Sequence, residues 1–140
     1  MKKFRQQHIF GWFLFLLILS STAFAKAPLN IQPRYEEILD FYSSLSISSS
    51  GYAECLSDIT TLDSDSEIDL TMSLQRSSNN GRTWSTVKTW DTSDNGFATL
   101  EKGWFVTSGY SYRVKATAEI YDESGDLIEE ESVESPVEEY

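Results

Sequence analysis

Apolar and polar residues alternate along most of the chain after residue 43, and this period of two is typical of β-strands. The clearest run spans residues 67–76, where one face holds only apolar side chains (Ile68, Leu70, Met72 and Leu74). Alternation over that length predicts an antiparallel strand with one buried and one solvated face. The longest run of the same period spans residues 110–120 and predicts the inward positions Tyr110, Tyr112, Val114, Ala116, Ala118 and Ile120.

Turn-forming residues separate these two runs from shorter ones that begin near residues 43, 52, 83, 97 and 127. Asn80-Gly81 predicts a hairpin turn, residues 91–96 predict another turn, and Val87 interrupts the alternation where a bulge would fit. About seven strands with no core helix predict an all-β chain. We expect an immunoglobulin-like or fibronectin-III-like antiparallel β-sandwich.

The first 25 residues have a different pattern, that of a cleavable secretory signal peptide. Three basic residues precede an apolar run at residues 9–19, and Ala23-Phe24-Ala25 supplies the small residues of a cleavage site. The apolar run is too short for a transmembrane helix, which needs about 20 residues. We therefore expect cleavage after Ala25, secretion, and no transmembrane segment in the mature chain.

The expected division is a signal peptide (1–25), an N-terminal leader (26–42), the β-sandwich domain (43–133) and an acidic tail (134–140) that frays. The end of the leader, residues 35–42, fits a short helical face or an extended edge equally well. Cleavage would leave eight basic and 22 acidic residues, a formal charge of −14. Such a charge favours solubility and argues against nucleic acids and anionic membranes as partners.

Little catalytic equipment would remain after cleavage. His8 is the only histidine and lies in the signal peptide, which excludes serine–histidine and cysteine–histidine pairs. Cys55 is the only cysteine, so an intrachain disulfide and a zinc site of histidine and cysteine are also excluded, and we expect the thiol to be buried on a strand. A pair of carboxylates, as in glycosidases, remains available for catalysis. However, the many acids on outward faces would form close pairs by chance. We predict no enzymatic activity and no cofactor.

Two acidic segments could offer oxygen ligands to Ca²⁺. They are the run of Asp63, Asp65, Glu67 and Asp69, and the turn flanked by Asp122 and Asp126. The first lacks the glycine and the terminal glutamate of a calcium loop, so we expect solvated acidic faces and no metal site. Cross-strand pairing with acids is expected for the basic residues Arg76, Arg82, Lys88, Arg113 and Lys115.

Aromatic residues are numerous for a chain of this size. Trp84 and Trp90 are predicted to fill the core, whereas Trp104 and Phe105 lie in a corner between strands. Exposed aromatic side chains at the edge of a sandwich can bind sugars by stacking. We therefore predict a contact patch of Trp104, Phe105 and Tyr121, on the condition that Trp104 and Phe105 are exposed.

Two short motifs resemble known structures. Val106-x-Ser108-Gly109-x-x-Tyr112 resembles the corner before strand F of fibronectin type III domains, which implies that the Tyr112 hydroxyl bonds back to the preceding loop. Serine replaces the usual proline there, and Tyr110 is a competing tyrosine. Ser77-x-Asn79-x-Gly81-x-Thr83-Trp84 resembles the Asp-box hairpin of sialidases and other secreted β-proteins, with Asn79 in place of aspartate. That resemblance implies a structural turn only.

Nearly all of the mature chain is similar to a family of short secreted proteins of Gram-positive bacteria, known as a domain of unknown function. The similarity is carried by short motifs, among them Pro33-Arg34-Tyr35, Ala53-x-Cys55, Leu74-Gln75-Arg76 and Tyr112-Arg113-Val114. It implies export and a β-sandwich, and no activity. The sequence thus predicts a secreted, non-enzymatic module that binds an extracellular glycan or protein. The alternatives are a structural or effector-like protein that adds a partner's strand at a sheet edge, and an enzyme with two carboxylates.

Overall fold

Eight antiparallel strands account for the regular structure of residues 36–140, which is the part of the chain that the computed structural model describes. One sheet has the order β1-β2-β5 and contains β1 (Ile38–Ile47), β2 (Tyr52–Thr61) and β5 (Phe97–Phe105). The larger sheet has the order β4-β3-β6-β7 and contains β3 (Glu67–Ser77), β4 (Ser85–Asn95), β6 (Ser111–Tyr121) and β7 (Leu127–Glu134). The short β8 (Glu138–Glu139) pairs with β6. The predicted antiparallel sandwich is confirmed.

Some predictions concern residues outside this range. The predicted signal peptide and residues 26–35 of the predicted leader lie outside the described residues. Between residues 36 and 140, no helix is long and apolar enough to cross a membrane.

The core lies between the two sheets and is built from the alternating positions. All apolar residues predicted on the inner faces of β3 and β6 are buried, apart from Tyr110, which is half-buried against the core. Strand β2 contributes Ala53, Cys55 and Ile59 from the opposite sheet, all almost without solvent exposure. The hydroxyl of the buried Ser57 is satisfied by Ser43 across the β1–β2 ladder, at 2.8 Å. The period of two therefore identified the core correctly.

Strand β4 shows one confirmed prediction and one wrong one. The β3–β4 register shifts where Leu74 pairs with Lys88 and Gln75 with Thr86, so Val87 is the extra residue of a bulge, as predicted. The predicted turn at residues 91–96 is wrong, because β4 continues to Asn95. Only Gly96 turns the chain into the other sheet. It has a φ of 71°, and a Cβ there would come within 2.8 Å of the Ser64 backbone.

Regular structure extends further toward both ends of the described chain than the predicted domain boundaries. Strand β1 begins at Ile38, inside the predicted leader, and its pairing with Thr61 favours the extended-edge alternative over the helical one. The predicted fraying of the acidic tail is wrong. β8 extends the β6 ladder, and the backbone N–H of Tyr140 donates to the Tyr110 carbonyl at 3.0 Å. The Tyr140 ring also packs against the core, which holds the tail in place.

Both short motifs form the local contacts that their resemblances imply. The hydroxyl of the buried Tyr112 donates to the Thr107 carbonyl at 2.6 Å, so Tyr112 and not Tyr110 forms the corner. In the β3–β4 loop, Asn79 Oδ1 accepts from the Thr83 N–H at 2.9 Å and Asn79 Nδ2 donates to Thr83 Oγ1 at 2.8 Å. Asn79 therefore closes the loop from within, in the place of an Asp-box aspartate.

Candidate functional site

The candidate site lies at the end of β5, an edge strand that pairs only with β2 in its sheet. The predicted corner between strands is wrong for Trp104 and Phe105, because they are the last two residues of β5 and pair with Ala53 and Tyr52 of β2. Trp104 is 41% exposed and Phe105 is 69% exposed, which meets the condition set for the contact patch. Neighbouring residues of a strand point to opposite faces. The Trp104 and Phe105 side chains therefore point to opposite faces of β5 at the end of this strand. Phe105 lies on the outer face of the small sheet, and Trp104 lies on the side that faces β4.

Phe105 has an aromatic partner that the sequence analysis did not include in the patch. Tyr52 stands directly opposite Phe105 in the β2–β5 ladder, and the two rings meet edge to face at 5.1 Å and 62°. Tyr52 is 38% exposed. Its ring lies over Gly103, where a Cβ would come within 1.8 Å of the Tyr52 hydroxyl oxygen. A glycine at this position therefore makes room for the aromatic pair. We call Tyr52, Trp104 and Phe105 the aromatic corner.

Trp104 has a cationic neighbour from the other sheet. The ammonium group of Lys88 on β4 lies 5.0 Å from the centre of the Trp104 ring, within the range of a cation–π interaction. Trp90 on β4 is half-buried against the core, which agrees with its predicted role. The core prediction for Trp84 is wrong. Trp84 lies outside the core cluster and stacks with the Arg113 guanidinium at 4.3 Å.

Tyr121, the third residue of the predicted patch, lies at the opposite end of the sandwich. It pairs with Glu67 and Leu127, whereas Phe105 pairs with the first residue of β2. Its hydroxyl donates to the Glu119 carboxylate at 3.3 Å, and burial together with that carboxylate raises the pKa of Tyr121. Of the predicted patch, Trp104 and Phe105 therefore lie together, with Tyr52 beside them, whereas Tyr121 is not part of the patch. The parity of Tyr52, opposite to that of buried Ala53 and Cys55, was the available signal.

The two ends of the sandwich differ in charge. Ladder register places every lysine and arginine of the described chain in the half that contains the aromatic corner, and these are Arg76, Arg82, Lys88, Lys102, Arg113 and Lys115. All but five of the 22 acids lie in the other half or its loops, the five being Glu54, Glu101, Glu134, Glu138 and Glu139. We call the first half the basic end and the second the acidic end.

Cation pairing differs from the prediction. Within residues 36–140 one ion pair forms, between Arg113 and Glu134 at 2.6 Å. The predicted cross-strand ion pairs of the other basic residues do not form in this range. Most acids lie at the far end of the same strands, and Glu134, which stands opposite Lys115 on β7, is bound by Arg113. Arg76 instead stacks with the Tyr110 ring at 4.8 Å. Cations stacked on aromatic rings are thus the chemistry that this end presents, and Arg76 and Trp104 are the exposed members of these pairs.

The acidic end contains the two segments considered for calcium. In the described part of the chain, no group of three or more potential metal ligands comes together. Asp63 and Asp122 line one open cavity of about 400 Å³ with Glu37 and Glu123. Asp63 accepts from the Asp65 N–H at 3.0 Å, and Asp122 accepts from two backbone N–H groups of its own turn. These carboxylates therefore order their loops.

Cys55 is buried on β2, as predicted. Burial raises the pKa of its thiol to about 11, so the thiolate that a nucleophile would need is scarce at neutral pH.

Comparison with known proteins adds no functional information. No protein-family model matches the chain, and no curated protein sequence matches it.

Proposed function

We propose that this protein is an exported, non-enzymatic β-sandwich module that binds an extracellular glycan through the aromatic corner. The single observation that carries the proposal is the exposure of Trp104 and Phe105 at the same end of an edge strand, beside Tyr52. Aromatic rings at a protein surface can stack on the apolar face of a sugar ring. Ring faces that remain in solvent in a folded protein are available for such a ligand.

Contacts within the protein hold the rings of the aromatic corner in place. Tyr52 and Phe105 hold each other by an edge-to-face contact, which contributes about 0.5–1.5 kcal/mol beyond burial. Gly103 leaves the space that the Tyr52 ring occupies. Rings that are ordered before binding lose little conformational entropy when the ligand arrives. These contacts support a pre-formed binding surface. The Tyr112 corner and the strand order likewise support the fibronectin-type interpretation of the fold.

A glycan array tests the binding proposal. The protein is expressed from its full sequence in a secreting host, recovered after export and labelled. We expect wild-type protein to bind a defined set of glycans, and Trp104→Ala and Phe105→Ala to lose that set while they unfold at the same temperature as wild type. Retention of the same glycans by both variants would place the ligand elsewhere. Binding to no glycan, together with specific capture of a host protein, would favour the protein-partner alternative.

Export is tested in the same preparation. N-terminal sequencing of the secreted protein should begin at Lys26, because the small residues before it form the expected cleavage site. Protein that stays inside the cell with an intact N-terminus would contradict the export part of the proposal.

A further inference from the structure

The surroundings of Trp104 are cationic although the chain as a whole is acidic. Lys88 lies over the Trp104 ring. Lys102 precedes Trp104 by two residues, so the Lys102 and Trp104 side chains lie on the same side of β5. Lys102 is exposed, and among residues 36–140 neither lysine has a carboxylate within ion-pair distance. Lys88 pairs with Leu74 of β3, and Arg76 lies two positions after Leu74 on that strand. We call Lys88, Lys102 and Arg76 the cationic strip.

Most of the acids that give the chain its negative charge lie toward the other end of the sandwich. Trp104 is seven residues from Phe97, the first residue of β5, which corresponds to about 23 Å. The loops of the acidic end are therefore roughly three Debye lengths from Trp104 at physiological ionic strength. Glu54 and Glu101 are closer, but they lie on the outer face of the small sheet with Tyr52 and Phe105, so the anionic groups of a ligand that spans the corner are expected on the Trp104 side. Glu134, Glu138 and Glu139 also lie at the basic end, but they belong to β7 and β8, on the far side of β6 from β3 and β4. A ligand at Trp104 thus meets a locally positive surface.

We propose that the glycan bound at the aromatic corner is an acidic polysaccharide, whose sugar units carry carboxylate, sulfate or phosphate groups. This inference rests on the proposed function and specifies its ligand class. Trp104 supplies a stacking surface for a sugar ring, and Lys88 over its ring and Lys102 two residues before it on β5 supply ammonium donors for an anionic substituent. Charged hydrogen bonds from unpaired lysines to such groups are formed without breaking an existing ion pair.

Other polyanions fit this surface less well. Nucleic acid carries one charge about every 1.7 Å along the duplex and needs many phosphate contacts. The cationic strip is short, and an extended duplex would run past it toward acidic surface. A polysaccharide presents more widely spaced charges on rings that can stack. The observations therefore favour acidic sugars over nucleic acid.

Two matched polymer pairs test the inference. Immobilised dextran sulfate is compared with dextran, and polygalacturonate with its methyl ester, using secreted protein expressed from the full sequence. We expect at least tenfold tighter binding to the acidic member of each pair, and affinity that falls with added salt. Lys88→Gln and Lys102→Gln should each weaken binding about two- to fivefold. Lys115→Gln, which removes an equal charge from the outer face of the other sheet, should change it less than twofold.

Equal affinity for the acidic and neutral polymers, with loss of both in Trp104→Ala, would overturn this inference and leave the proposed function standing. Equal weakening by Lys115→Gln and Lys102→Gln would also overturn it, since attraction would then be nonspecific. Single-stranded DNA bound as tightly as dextran sulfate would point to a general polyanion surface and overturn it as well. Unchanged binding in Trp104→Ala would instead contradict the aromatic corner itself.

Discussion

Replacement of Tyr112 by phenylalanine isolates one hydrogen bond that fastens β6 to the loop before it. The Tyr112 hydroxyl donates to the Thr107 carbonyl at 2.6 Å, while its ring is almost completely buried between the sheets. Burial raises the pKa of Tyr112, so the donating proton is present at neutral pH. Tyr112→Phe removes only the hydroxyl and leaves the ring in the core. No large cavity is created.

The expected cost follows from that geometry. A net intramolecular hydrogen bond contributes about 1 kcal/mol. Thr107 is exposed, so water can bind its released carbonyl and little further penalty arises. Tyr112→Phe should therefore lower the free energy of unfolding by about 1 kcal/mol and the melting temperature by roughly 4 °C.

Urea unfolding followed by tryptophan fluorescence measures this difference, and the m-value should stay unchanged. Tyr110→Phe is the matched control. The Tyr110 ring stacks with the Arg76 guanidinium at 4.8 Å, and a phenyl ring retains that contact. We expect a loss below about 0.5 kcal/mol for this control. A larger loss for Tyr110→Phe than for Tyr112→Phe would refute the assignment of the corner to Tyr112.

Three further predictions concern the thiol, the β3–β4 loop and the aromatic corner. Burial raises the pKa of Cys55 from 9.0 to about 11. Stability is therefore unaffected below pH 9 and should fall by about 2–3 kcal/mol by pH 11, measured as the unfolding free energy of wild type relative to Cys55→Ala. Asn79→Ala removes both contacts to Thr83 and should cost about 1–2 kcal/mol in thermal unfolding, whereas Asn79→Asp retains the acceptor and should cost less than half of that. Gly103→Ala places a Cβ within 1.8 Å of the Tyr52 hydroxyl oxygen, so the ring must swing away. Glycan binding should weaken, while unfolding free energy changes by less than about 1 kcal/mol.

Each of these has a distinct contrary result. A parallel pH dependence of wild type and Cys55→Ala would show that other groups control alkaline unfolding. Equal losses for the alanine and aspartate variants of Asn79 would mean that the loop does not depend on the side-chain acceptor. Full glycan binding by Gly103→Ala would show that the position of the Tyr52 ring is not important.

Local pattern predicted most of the fold because burial of one strand face and alternation in sequence are the same physical requirement. The inward residues of β3 and β6 and the bulge at Val87 could be read from spacing, whereas the Tyr112 corner was implied by the resemblance to fibronectin type III domains, with Tyr110 as a competing tyrosine. The turn at residues 91–96 was wrong because polar composition alone does not end a strand. β4 is an edge strand, so Asp91 can lie on its solvated face and Asp94 can remain exposed near its end.

The site was harder to predict because it depends on which ends of the strands meet. The exposure of Trp104 and Phe105 was considered because they were predicted to lie in a corner, whereas they end β5, and Tyr121 was wrongly joined to them. In an antiparallel sandwich the ends of β5 and β6 lie at opposite ends of the molecule. The separation of charge could not be predicted for the same reason. Cations and acids are mixed along the chain, and the strand register places them at opposite ends of the sandwich. Only the ladder pairings reveal that arrangement.

The central claim is that the end of β5 at the basic end binds the ligand. Phe105 and Phe97 lie on the same strand and the same face, with 69% and 48% exposure, but at opposite ends. The direct test is the dissociation constant of Phe105→Ala and of Phe97→Ala for the strongest glycan of the array. The account predicts at least a tenfold increase for Phe105→Ala, about 1.4 kcal/mol, and less than a twofold change for Phe97→Ala. Equal increases for both variants, or a larger one for Phe97→Ala, would contradict it.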